Sequence, residues 1–92
     1  SDLYWAGADL VVEIVSGGPE DRVRDHVTKR AEYADAGIAE YWIVDPTDDT
    51  FIVLSLDGAT YREVGVFRRG ERASSVLLDG LEVDVTAVLD AD

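Results

Sequence analysis

Residues 7–33 read GADLVVEIVSGGPEDRVRDHVTKRAEY, and their first half decides the fold. Asp9–Ser16, DLVVEIVS, is a β-branched apolar run bounded by Gly7 and by SGGP, which predicts a buried strand. Its apolar residues fall on both faces, as in a parallel sheet covered on both sides. Pro19 then stands where a first helical position belongs, followed by Glu20 and Asp21, whose carboxylates oppose the helix dipole. Val23, Val27, Ala31 and Ala34 recur at helical spacing, and Gly37 supplies the stop.

Beyond Gly37, residues 38–46, IAEYWIVDP, form a second apolar run halted by Asp45-Pro46. Strand, helix and strand make a βαβ unit with parallel strands. TFIVLSL and TYREVGVF are separated by Asp57-Gly58, a hairpin signal. ASSVLL predicts a short strand and DVTAVLD a final helical turn opened by Asp84. The expected architecture is α/β: a mixed sheet with a βαβ unit followed by an antiparallel hairpin, one domain over residues 1–92.

Composition narrows the function classes. Ninety-two residues at 47% hydrophobic suffice for one small core. The formal net charge of −12 repels nucleic-acid backbones and anionic membranes in general. The absence of cysteine excludes disulfides, thiolate metal sites and cysteine nucleophiles. No apolar run is long enough to span a membrane, and SDLYWAGADL lacks the basic and apolar regions of a signal peptide, so a cytoplasmic location is expected. Position 1 is not methionine and the chain contains none, which leads us to expect a fragment of a longer protein.

Glu13 is the anomaly in the first strand. Side chains alternate along a strand, so Asp9, Val11, Glu13 and Val15 share one face, while Leu10, Val12 and Ile14 share the other. An unpaired buried carboxylate costs several kcal/mol on an order-of-magnitude scale, so a glutamate there needs a cation, a metal or a proton. The competing reading is an edge strand with Glu13 facing solvent. Asp9 cannot share one metal ion with Glu13 in regular geometry, because four residues of strand place them about 13 Å apart. A Mg²⁺ bound by Glu13 needs a partner carboxylate from another element, with oxygen ligands at about 2.1 Å.

Lys29 is the chain's single lysine against seven arginines. On the helix, Arg22, Asp25, Lys29 and Glu32 fall at spacings of three, four and three, a polar stripe opposite the valines. The plain reading is a surface Asp25–Lys29 pair worth about 0.3–0.5 kcal/mol. The functional reading is a compact ammonium set near a phosphate, where a guanidinium fork would behave differently. The helix packs beside its own strand, so Glu13 and Lys29 are expected to face one cleft at the strand's carboxyl end, where ligands bind in open α/β sheets.

ADLVVEIVS, RDHVTKRAEYADAGIAEYWIVDP, the hairpin and LLDGLEVDV together resemble the carboxyl-terminal half of the Uma-two family, endonucleases of the PD-(D/E)XK, restriction-endonuclease-like superfamily. The resemblance implies a metal-dependent nuclease that hydrolyses DNA with Mg²⁺ or Mn²⁺. In that superfamily one metal-binding aspartate stands on one core strand, and an acidic residue followed two positions later by lysine stands on the next. Glu13 matches the second acidic position, and Val15 stands where the lysine would be. The resemblance places that lysine on the following helix, at Lys29, with Asp25 as the acidic residue before it and the Ile14 backbone carbonyl as a further metal ligand. The first aspartate and the family's opening strands have no counterpart here, so the amino-terminal part of the fold is expected to be missing and the isolated chain inactive. Asp9 remains a metal candidate only if the strand departs from regular geometry.

Outside that centre, Asp45 is a candidate supporting residue, although the Asp-Pro turn also accounts for it. Arg68, Arg69 and Arg72 in FRRGER are candidate phosphate contacts, with a solvated hairpin end as the plain alternative. His26, Tyr33 and Tyr41 are read as structural, the tyrosines as core residues with a polar tip. A second hypothesis is a non-catalytic module that forms homo-oligomers through an exposed sheet edge, which the acidic charge favours.

Overall fold

A computed structural model of the chain describes residues 2–6, 9–15 and 28–90, with side chains from residue 9 onward. The described elements are β1 (Asp2–Ala6), β2 (Leu10–Ile14), α1 (28–35), β3 (Glu40–Asp45), β4 (Thr50–Asp57), β5 (Thr60–Arg68), β6 (Arg72–Ser74), β7 (Glu82–Asp84) and α2 (Val85–Leu89).

β1 to β5 form one five-stranded sheet in chain order. The β2–β3 pair is parallel, as expected of a βαβ unit, and the other neighbours are antiparallel. β2 and β3 are apolar on both faces because both faces are covered. On one, Leu10, Val12, Trp42, Val44, Phe51 and Val53 pack with Ala73, Val85 and Leu89 from β6 and α2. On the other, Val11, Val15, Tyr41, Ile43 and Leu54 pack with Tyr33 and Ile38.

Local signals govern the element ends. Gly37 closes α1 at φ 76°, with its N–H on Ala34 and that of Ile38 on Tyr33, the reciprocal pair of a Schellman cap. Gly58, at φ 67°, turns β4 into β5 where Asp57 faces Thr60. Asp84 caps α2 by accepting the Ala87 N–H at 3.3 Å, as its position before VTAVL predicts.

Two expectations change. No strand was expected before Asp9, yet β1 pairs antiparallel with β2 and closes the edge beside Glu13. The short strand expected in ASSVLL ends at Ser74 and begins at Arg72, and Val76–Leu78 bend away instead. The physical reason is that the Val76 and Leu77 N–H groups bond a side chain of β3 rather than a neighbouring strand. The part of the expected helix between Pro19 and Val27 lies outside the described residues. Among the described residues, no helix is long and apolar enough to cross a membrane.

Candidate functional site

Glu13 sits in mid-β2, between Leu3 of β1 and Ile43 of β3, and is 1% exposed. The edge-strand reading therefore fails, and the buried carboxylate must find its partners inside the fold. Lys29 Nζ donates to Glu13 Oε1 at 3.0 Å. The Tyr33 hydroxyl donates to the same oxygen at 2.6 Å, and the Tyr41 hydroxyl donates to Oε2 at 3.2 Å.

Chain geometry explains the convergence. Lys29 and Tyr33 are one turn apart on α1 and so present neighbouring side chains to the sheet. Tyr41 stands on the strand beside β2, on the same sheet face as Glu13, and its ring meets that of Tyr33 edge-on at 5.0 Å. Burial, with the hydrogen bond and charge of Glu13 added, raises the Tyr33 hydroxyl well above its ordinary range. Burial, then the charge and hydrogen bond of Glu13, does the same to Tyr41. Both hydroxyls thus remain protonated donors, and Lys29, 28% exposed, brings the cation from the solvent side.

The remaining sequence candidates are dispersed. Ile14 follows Glu13 at the carboxyl end of β2, with its side chain on the opposite face. Asp9 is exposed, and its carbonyl accepts the Glu40 N–H at 2.9 Å, so it starts the strand pairing. Asp45 is buried on the face of Glu13 and accepts the Asp48 N–H at 3.1 Å, holding the turn after β3. Asp25 and His26 lie outside the described residues. Arg68 and Arg72 are exposed at the β5–β6 connection, with β3 and β4 between β5 and Glu13's strand. Arg69 lies between Asp90 and Asp49, at 2.7 and 3.1 Å, and those bonds raise its pKa further.

A second buried carboxylate escaped sequence reasoning. Glu40, 1% exposed at the start of β3, lies on the face opposite Glu13. Its Oε1 accepts the Val76 and Leu77 N–H groups at 2.8 and 3.0 Å. Its Oε2 accepts the Trp42 indole N–H at 2.6 Å and the Ser75 hydroxyl at 2.7 Å. The available signal was an acid opening a fully apolar run, the same anomaly that drew attention to Glu13.

Among the described residues, no group of three or more acidic, histidine or cysteine side chains is placed to hold a metal ion. A carboxylate oxygen is the ligand type that Mg²⁺ and Mn²⁺ take, and Glu13 offers one such carboxylate.

The fold and site define an α/β domain with a mixed sheet, built around a buried carboxylate that a lysine of the crossover helix neutralises. The Uma2 family model, described as a putative restriction endonuclease, matches residues 6–86. The chain belongs to that family. No curated protein matches it.

Proposed function

We propose that this chain carries part of a nuclease centre that hydrolyses DNA phosphodiester bonds, with Glu13 and Lys29 as its polar pair. The observation that carries the reading is the Lys29–Glu13 contact at 3.0 Å, made across the strand and helix of a chain that matches an endonuclease family. Glu13, with the Ile14 carbonyl, would hold Mg²⁺ or Mn²⁺, which when bound supplies Lewis-acid stabilisation of phosphate charge and an activated water. Lys29 neutralises negative charge that develops on a phosphate oxygen. Tyr33 and Tyr41 fix the carboxylate's orientation and exclude water from its inner side. The family's first acidic ligand has no counterpart among the described residues, and the reading takes it from outside them. Asp25 and Asp45 are supporting residues in this reading, and Arg68, Arg69 and Arg72 are its candidate phosphate contacts, Arg69 in competition with Asp49 and Asp90.

Relaxation of supercoiled plasmid in Mg²⁺ or Mn²⁺ tests this, using the protein in its full native polypeptide. Metal-dependent nicking is expected in the wild type, with loss in Glu13→Gln and strong reduction in Lys29→Met. Nicking that survives Glu13→Gln, or that never occurs, overturns the reading.

The oligomerising module retains one supporting observation. β5 is an outer strand of the sheet, nine residues long, and Val66 on it is 39% exposed. An outer strand of that length offers an edge for pairing with a second copy. Sedimentation across a concentration series tests it: a stable monomer removes this alternative.

A further inference from the structure

We propose that the loop of residues 76–81 is a docking surface for a cationic, leucine-rich segment of another protein. The inference goes beyond the nuclease reading and does not depend on it.

Four large apolar side chains stand out from this loop: Val76, Leu77, Leu78 and Leu81 are between 39% and 50% exposed. A single exposed leucine is ordinary, but four such residues in one short loop make a patch, and apolar patches mark interaction sites. The backbone holds that patch outward. Glu40 accepts the Val76 and Leu77 N–H groups at 2.8 and 3.0 Å, and the Ser75 hydroxyl accepts that of Leu78 at 2.9 Å. The Leu81 N–H donates to the Leu78 carbonyl at 3.0 Å and the Ser75 N–H to the Leu81 carbonyl at 3.1 Å, which closes the loop on itself. A loop fixed in this way loses little further freedom when a partner covers it, the condition that favours binding.

Charge names the occupant. Asp79 and Glu82 are exposed within and beside the loop, and after Arg72 the sequence carries five carboxylates and no lysine, arginine or histidine. Arg72 faces Asp84 across the β6–β7 pair, and Arg62 is two strands from Glu40, so neither lies in the loop. A second copy would set the same acids against these, on chains that each carry a net charge of −12. Nucleic acid and anionic membranes meet the same repulsion. The patch is also small: a stable dimer buries about 800 Å² per partner, from about 20–30 residues a side, whereas four half-exposed side chains suit a short segment. Complementarity therefore selects a segment with leucine-sized side chains for the patch and lysine or arginine opposite Asp79 and Glu82.

Fluorescence anisotropy tests this, with a fluorescein-labelled peptide that carries leucine on one helical face and lysine on the other, added to the protein in its full native polypeptide. Saturable binding is expected, and the double variant Leu77→Ser with Leu78→Ser should bind at least about tenfold more weakly. Asp79→Asn with Glu82→Gln should weaken binding as well. All four positions are exposed, so both variants should melt with the wild type. A peptide with serine in place of leucine keeps the charge and should bind no better to wild type than to the leucine variant.

Equal binding of the leucine and serine peptides, or equal binding by wild type and the leucine variant, would reduce the effect to attraction by the acidic surface and overturn the proposal. Absence of binding would overturn it too. Dimerisation in sedimentation that the leucine changes abolish would make the occupant a second copy. Co-sedimentation with phosphatidylserine vesicles, lost in the same variant, would give the face to a membrane, and either result removes the cationic segment.

Discussion

The charge of Glu13 is compensated by a set of donors, and the set matters more than any one of them. Removing one partner of a buried ion pair leaves the other uncompensated at about 3–5 kcal/mol, and Lys29→Met should fall near the lower end because the ammonium is partly solvated. The double change Glu13→Gln with Lys29→Met removes both charges together. It should therefore be less destabilised than the sum of the singles, and urea unfolding of the four proteins in the cycle measures the coupling. The tyrosines make a separate prediction. Burial and Glu13 raise their folded pKa values above the ordinary tyrosine value of 10.0, so the folded state holds those protons longer than the unfolded chain. Their contribution is fully present below about pH 10 and is lost as pH rises beyond it. Stability should hold to that point and decline above it, and the decline should be shallower in Tyr33→Phe and Tyr41→Phe, as denaturation across an alkaline series will show.

At the scale of elements, Glu40 does for the loop after β6 what Lys29 and the tyrosines do for Glu13. Its carboxylate replaces a strand partner for Val76 and Leu77, and Ser75 then accepts the Leu78 N–H at 2.9 Å. The side chains of Val76, Leu77 and Leu78 are left 40–50% exposed as a consequence. In Glu40→Gln one acceptor becomes a donor facing N–H or O–H groups, which should cost about 2–3 kcal/mol and speed amide exchange at Val76 and Leu77 above all. Unchanged exchange there would show that the loop holds itself. This contact also marks the limit of what the residues disclose in order. β2, β3, the β4–β5 hairpin and α2 were legible because periodicity, Gly37, Gly58 and Asp84 act over a few positions. β1 and the bend at Val76 were not, because each depends on a partner elsewhere: Glu40 lies 36 residues from Val76. Glu13 and Lys29 were legible as a charge in an apolar run and a solitary lysine. Tyr33 and Tyr41 were read as core residues with a polar tip, but nothing in sequence order shows that both hydroxyls end on one carboxylate.

Over the whole molecule, the net charge of −12 acts on every test that uses metal. A chain so acidic repels itself, and any added salt will stabilise it by screening, Mg²⁺ more than Na⁺ at equal concentration. A rise in melting temperature with Mg²⁺ thus says nothing by itself about Glu13. The specific component appears at matched ionic strength, where screening by NaCl and by MgCl₂ is made comparable and only site binding differs. A ligand present at ten times its Kd adds about 1.4 kcal/mol, which for a domain of this size is several degrees. We expect wild type to melt several degrees higher in MgCl₂ than in NaCl of equal ionic strength, and Glu13→Gln to lose that difference while keeping the response to NaCl. The acidic surface sets the other half of the expectation: with so few cations to neutralise phosphates, DNA affinity at physiological salt should be low and should fall further as salt rises. A difference between Mg²⁺ and Na⁺ that persists in Glu13→Gln would place the ion on the acidic surface instead, and remove Glu13 as a ligand.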